Sequence, residues 1–448
     1  MSSALQAGFA RRVINPPKGI SLVGYFNPRP NQGVMDDICV KALLLTQGKE
    51  VAGIISYDLA LLSDVLLKRI REDLRKAGFA FADRIPLCAT HTHTGPEVGG
   101  IFDGAALGDE KYLKFVTSQT VEAVKEALAQ MAPAELRCGA ANDNPLAFNR
   151  RYWMKDGTVV TNPGKGNPQV VKPEGPVDRE VSLLAIDREG KPLCIVANIC
   201  NHTDTTSGDL VSADWPGHFE RAIQEKLGGA VSVITLIAPA GNINHVDIHN
   251  LEQPVYGVAE SKQIGRGYAE ILLRVLAQAK PMGPVPMKLA VRQVSIGRRI
   301  FTPEQLEKAR RTLAAAAEDA QGGNLTSEDI ARGSGEVARF FAQQLLNYDA
   351  HAPKGGRSFD LAALMFGKEA AIVFLPGEPF TEIGLSIKKA SPFRRTLVAT
   401  LANGECGYVP LKECFSRGGY EILPVVGGGP REDTAELLIA EAGKLLTA

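Results

Sequence analysis

The chain has 448 residues, 45% hydrophobic and 22% charged, which is enough material for a sizeable core. Its 50 basic and 50 acidic residues cancel, which argues against a nucleic-acid partner or an anionic membrane surface. No apolar run approaches the roughly 20 residues that span a bilayer, and the opening MSSALQAGFARRVINPP lacks the apolar stretch of a signal peptide.

In chain order, residues 51–58 form the first predicted strand, followed by a helix over 61–78 that ends on glycine. The second strand, 85–89, leads into Ala89-Thr90-His91-Thr92-His93-Thr94-Gly95-Pro96. Side chains two apart on extended backbone share a face, so His91 and His93 can converge on one point, and imidazole is the commonest transition-metal ligand. A chance pair at a strand end is the competing reading. A helix over 110–131 follows, then a third strand reaching His202 (193–202) and a helix over 218–227. The fourth strand, 231–237, stops before Gly241-Asn242-Ile243-Asn244-His245. Thr302-Pro303-Glu304 opens a helical hairpin over about 303–350, broken at Gly322-Gly323-Asn324 and resuming near Ser327, either peripheral or a lid. The fifth strand, 371–377, reaches Glu378, and the sixth, 397–401, precedes Gly404-Glu405-Cys406-Gly407-Tyr408. Gly427-Gly428-Gly429-Pro430 turns into a closing amphipathic helix and lacks the lysine–threonine signature of a phosphate-binding loop.

Near-continuous apolar runs alternating with helices predict an α/β fold, with mixed, largely buried sheets flanked by helices. Function in such sheets gathers at the carboxyl ends of strands, where His91, His202, Glu378 and Tyr408 fall. No internal repeat or linker is evident, so one domain over 1–448 is expected. Seven cysteines without C-x-x-C spacing, with Cys88, Cys194 and Cys200 in apolar runs, predict buried thiols and a cytoplasmic protein.

Two histidines, a carboxylate and a further oxygen donor suit zinc. Each also has a plainer reading: His202 as a solvated loop residue, Glu378 as a surface turn, Tyr408 as a core-edge tyrosine. His218 reads as a structural residue on the first turn of a helix and His351 as exposed. His245 and His249 could form a second metal or substrate cluster.

Taken together, the motifs resemble the catalytic domain of the neutral ceramidase family over nearly the whole chain. The resemblance is carried by Gly8-Phe9-Ala10, Ile14-Asn15-Pro16-Pro17, Gly24-Tyr25, Asp37 and Ser56-Tyr57-Asp58-Leu59, and most specifically by Ala89 to Pro96. It continues through Asn149-Arg150, Gly175-Pro176-Val177-Asp178, the stretch from Leu210 to Gly217, and Leu375-Pro376-Gly377-Glu378. Asn403-Gly404, Gly407-Tyr408-Val409-Pro410 and Gly418-Gly419-Tyr420-Glu421 complete it. The resemblance implies a zinc site made by His91, His202, Glu378 and Tyr408, with His93, Arg150 and Tyr420 facing the substrate. His93 would then move the proton and Arg150 and Tyr420 would donate to a developing oxyanion, while zinc activates water against an amide, ester or lactone. Asn244 stands where the family has a catalytic serine, and asparagine can donate a hydrogen bond but cannot act as that nucleophile. The family's C-terminal immunoglobulin-like domain and a secretion signal are not in the sequence. The expected substrate is therefore a soluble small molecule. The alternatives are an intracellular ceramidase, or a zinc-dependent lyase or isomerase acting on a sugar or polyol. Pocket shape is expected to be set by loops such as 102–108 and 164–173.

Overall fold

Three times in succession the chain lays down three antiparallel strands, a helix, a fourth strand parallel to the third, and a second helix. The computed structural model describes residues 4–26, 28–99, 109–316, 335–425 and 428–448. The first unit comprises β1 (Gln6–Val13), β2 (Cys39–Gln47), β3 (Glu50–Tyr57), α1 (Asp64–Lys76), β4 (Leu87–Ala89) and α2 (Glu110–Ala129). The second comprises β5 (Glu135–Asn142), β6 (Glu180–Arg188), β7 (Lys191–Ile199), α3 (Asp214–Leu227), β8 (Ser232–Ile237) and α4 (Val258–Gln278). The third comprises β9 (Met287–Ile296), the helices α5 (Pro303–Ala316) and α6 (Gly335–His351), β10 (Arg357–Phe366), β11 (Ala370–Phe374), α7 (Thr381–Ala390), β12 (Arg395–Ala399) and α8 (Thr434–Thr447).

Strand order is the same in each sheet: β4-β3-β2-β1, β8-β7-β6-β5 and β12-β11-β10-β9. The parallel pairs also match in register, with Tyr57 opposite Ala89, Ile199 opposite Ile237 and Phe374 opposite Ala399. One face of all three sheets meets in a shared core that includes Phe9, Ile54, Leu184, Leu236, Leu364 and Phe374. Alternation of side chains across each strand sends the other face to the helices: Ile55 and Leu87 meet Leu66 and Val116, Ile195 meets Phe219 and Leu272, and Val373 meets Ile383 and Leu438. The fold is thus mixed α/β, with sheets buried on both faces and helices outside.

All six predicted strands are present, and all are members of the parallel pairs. The predicted helices over 61–78, 110–131 and 218–227 appear as α1, α2 and α3, the last beginning one turn earlier than expected. Thr302 caps α5 through a reciprocal pair of bonds with Gln305 (2.9 and 3.3 Å), and α5 packs on α6 through Ala309, Ala342 and Leu345. The break at Gly322 to Asn324 and the restart near Ser327 lie outside the described residues, as do the loop 102–108 and Gly427. All seven cysteines are buried and unbridged. Among the described residues no helix is long and apolar enough to cross a membrane.

Candidate metal centre

Strand β4 stops at Ala89, so the histidine pair lies just beyond the sheet. His91 takes a left-handed backbone (φ 68°), held by its N–H to the Leu59 carbonyl (2.8 Å). That turn, rather than strand alternation, brings the two rings together, with centroids 4.8 Å apart. Thr92 and Thr94 donate to the Ser212 carbonyl, and Thr203 donates to the carbonyl of Thr90 (2.7 Å). His202 arrives on the loop after β7, its carbonyl accepting from the Trp215 indole (2.9 Å). Gly24 lets the chain cross directly over His93. A Cβ there would lie 2.5 Å from the His93 side chain, and the backbone is left-handed (φ 106°).

The three Nε2 atoms of His91, His93 and His202 converge, at 3.1 Å (91–202), 3.3 Å (91–93) and 3.2 Å (93–202). All three residues are buried. Glu378 Oε2 lies 3.1 Å from His91 Nε2 and 4.0 Å from His202 Nε2, and has no hydrogen-bond donor of its own. Burial and the neighbouring charges, His91 foremost, hold His93 and His202 well below the ordinary imidazole value. At His91, burial opposes the charge but Glu378 outweighs it and raises the pKa. Two neutral imidazoles therefore turn lone pairs toward a common point, an arrangement that a cation relieves.

A metal ion fits this donor set. Tetrahedral zinc–nitrogen bonds of about 2.0–2.1 Å place neighbouring nitrogens about 3.3 Å apart. A metal-bound histidine normally gives its other N–H to a carbonyl or carboxylate. His91 Nδ1 donates to Ala60 O at 2.7 Å, and the Ala240 carbonyl serves His202. His93 is served in the same way by the Gly24 carbonyl, and its Nδ1 also lies 3.5 Å from Asp204 Oδ1. His93 shares the convergence point with the other two rings and differs in having a carboxylate, Asp204, beside its Nδ1.

The other expected residues gather around this cluster. Glu378-Pro379 and Tyr408-Val409 pair as a short parallel ladder, which sets Tyr408 beside Glu378. Arg150 is fully enclosed: Nε donates to Glu421 (3.1 Å), Nη2 to Gly241 O (2.6 Å), and the guanidinium lies over the rings of Tyr408 (5.3 Å) and Tyr420 (5.2 Å). Asn244 does not point free polar atoms at the metal. Its amide donates to Asn162 Oδ1 (2.8 Å) and its oxygen accepts from Val246 N (3.0 Å). His218 sits in the second turn of α3 and accepts from Arg221 (2.7 Å), while His351 and His249 are exposed. Among the described residues the histidine triad is the one metal-ligand cluster, so His245 and His249 make no second one.

Sequence reading missed several residues of this cavity. Tyr25 donates to Asp204 Oδ1 (2.7 Å), and Arg29 packs over Tyr25 while donating to His93 O (2.6 Å). Burial pushes Asp204 up to about 7. Asn162, in the left-handed region (φ 51°), and Phe340 of α6 also line the space. Phe26 and Phe341 meet Phe340 edge-on and Phe341 stacks on Tyr420, so the helical insert walls the cavity rather than standing apart from it. Asp204 was within reach, two residues past a candidate ligand; Phe340 carried no local signal.

No protein-family model matches the chain, and no curated protein matches it in sequence. Among solved structures, neutral ceramidase from Pseudomonas aeruginosa aligns with a TM-score of 0.74 at 16% identity, covering 100% of this chain and 74% of that one. A ceramidase complexed with C2 aligns with a TM-score of 0.72, also at 16% identity, covering 100% and 75%. The chain has the neutral ceramidase fold, as its motifs led us to expect.

Proposed function

We propose that this chain is a zinc-dependent hydrolase that cleaves the amide, or an ester or lactone, of a small molecule. The observation that carries the reading is the buried convergence of three imidazole nitrogens backed by a carboxylate with no other partner. His91, His202 and Glu378 hold the ion, with Tyr408 completing the set. Zinc supplies Lewis acidity toward a carbonyl oxygen and toward water. His93, with the Asp204 carboxylate beside its Nδ1, carries the proton to the leaving group. Arg150 and Tyr420 present N–H and O–H donors to charge developing on the carbonyl oxygen, in a site from which burial excludes bulk water. Asn244 acts through Asn162, which it orients. Elemental analysis of the purified chain tests the reading. About one zinc per chain is expected, lost in His91→Ala and His202→Ala, and a native chain that binds no metal overturns it.

One feature favours a second reading, a ceramidase. An apolar groove of about 460 Å³ runs between α5, α6 and the turn bearing Gly419 and Tyr420, and shares Tyr420 with the metal cavity. A long acyl chain could lie there. Turnover of fluorescent long-chain ceramide supports this second reading, and turnover of short amides alone supports the first.

A further inference from the structure

His245 occupies the wall of the metal cavity and has no part in the chemistry proposed above. It is only 2% exposed, and its Nε2 lies 2.6 Å from the Val255 carbonyl. A carbonyl can only accept, so Nε2 carries the proton and Nδ1 carries the lone pair. Nδ1 is buried and meets no hydrogen-bond donor among the described residues. Burial also lowers the His245 pKa, which keeps the ring neutral and its acceptor intact. An unmatched buried acceptor costs free energy, and His245 is one of the residues around the cavity that receives the substrate. Next to it, Asn244 takes the Asn162 oxygen and leaves the Asn162 Nδ2 amide as a donor in the same wall. The wall thus offers an acceptor and a donor, and a hydroxyl group both gives and takes a hydrogen bond. The cavity is also compact, about 130 Å³, close to the 150 Å³ that admits a benzene-sized ligand.

We infer that His245 is a specificity residue, and that its Nδ1 accepts a hydrogen bond from a hydroxyl of a compact substrate whose scissile carbonyl sits at the imidazole cluster. The inference rests on the hydrolase reading for the placement of that carbonyl, but the hydroxyl site itself belongs to the protein wall and does not need the metal.

The test uses the full chain, zinc-loaded and metal-free, titrated calorimetrically with two amides of equal size, N-(2-hydroxyethyl)acetamide and N-propylacetamide. The native chain is expected to prefer the hydroxylated amide by about tenfold, the usual consequence of one matched buried hydrogen bond. His245→Phe should abolish the preference, and His245→Gln, which keeps an acceptor oxygen, should restore part of it. Selective ¹⁵N labelling of histidine gives a second measurement, independent of the variants' stability. Nδ1 of His245 should shift with the hydroxylated amide and not with its partner. Equal binding of the two amides by the native chain, or an undiminished preference in His245→Phe, overturns the inference. A preference that persists in a chain that binds no zinc would leave the hydroxyl site standing and remove the hydrolase reading.

Discussion

Zinc should stabilise this fold by an amount that can be worked out in advance. The proposed donors come from three separate units, His91 from the first, His202 from the second and Glu378 from the third, so unfolding any one of them would dismantle the site. A ligand that binds only the folded state adds about 4.1 kcal/mol when its free concentration is a thousand times its dissociation constant. At roughly 2.1 cal/mol/K per residue, unfolding 448 residues carries an entropy of about 0.9 kcal/mol/K. The melting temperature should then rise by about 4 °C, and by about 1.5 °C more for each further tenfold in free zinc. Scanning calorimetry with zinc clamped by a chelator buffer measures this, with His91→Ala as the control. The pH dependence has a definite sign. In the metal-free chain the raised His91 pKa gives stability that is full below the ordinary imidazole value and is lost as pH rises through the folded value. Zinc must displace that proton, so its stabilising effect should be larger at pH 8 than at pH 6. A native chain whose melting point ignores zinc, or a His91→Ala variant with the native response, would refute the assignment.

His93→Ala should retain zinc by elemental analysis yet lose about 10²–10⁴-fold in hydrolysis of short N-acyl or ester compounds. Loss of metal to the same extent as in His91→Ala would instead make His93 a ligand. Asn244→Ser should keep fold and metal without gaining strong activity on fluorescent ceramide, and robust new turnover would show that one side chain sets the substrate boundary. Lys41, buried in β2, donates to Glu220 (2.8 Å) and to Val233 O (3.0 Å), so Lys41→Met should cost about 3 kcal/mol by leaving the buried carboxylate only the Val233 N–H and the half-exposed Arg11 at 3.8 Å, most of it recovered by adding Glu220→Gln. Burial would raise the Glu220 carboxyl, but Lys41 outweighs it and holds it below its ordinary value. Its contribution is therefore present above the ordinary carboxyl range and fades as acid titrates it through the folded value, which acid-unfolding curves of the native and Lys41→Met chains will show.

The six strands legible in the sequence are the parallel pairs, because strands covered on both faces read as unbroken apolar runs. The first two strands of each unit were missed. Their apolar character is interrupted, by Lys41 in β2, by Arg11 and Arg12 in β1 and by Asp360 in β10, and only the structure shows what each charge meets. Helix α4 was hidden by Gly265 and Gly267, residues that weaken a helix in isolation. A Cβ at 265 would lie 2.7 Å from the His218 side chain and 2.9 Å from the Trp215 carbonyl, so that glycine is the condition for α4 to pack on α3. Of the site, the residues near motif glycines, prolines and histidines were legible. Asn162 was not, because its role arises from a hydrogen bond that closes between distant segments, Asn244 to Asn162, and His245 was marked only as half of a pair with His249, without its bond to Val255.

The threefold topology explains why so scattered a set of residues meets at all. In each unit the first strand is antiparallel to the second and the second to the third, and the fourth is parallel to the third. The carboxyl ends of the first, third and fourth strands therefore lie at one end of the sheet. Each unit sends three connections to that end. After first strands come Tyr25, Arg150 with Asn162, and Phe340. After third strands come Ala60, His202 and Glu378. After fourth strands come His91 with His93, Asn244 with His245, and Tyr408 with Tyr420. With the three sheets joined on one core, the nine connections ring a single cavity. No repeat is visible in the residues, because what recurs is strand order and burial, which many apolar sequences satisfy. The polar residues differ unit by unit, since each unit holds a different side of an asymmetric site. The left-handed backbone just past the fourth strand is one trace that survives: it recurs at His91 (φ 68°) and at Leu401 (φ 54°), each two residues beyond the paired Ala89 and Ala399. In the first unit that turn delivers an imidazole to the histidine cluster. In the third it places a leucine whose carbonyl accepts from Ala89 N at 3.1 Å, and so ties the third sheet to the strand that carries the histidines.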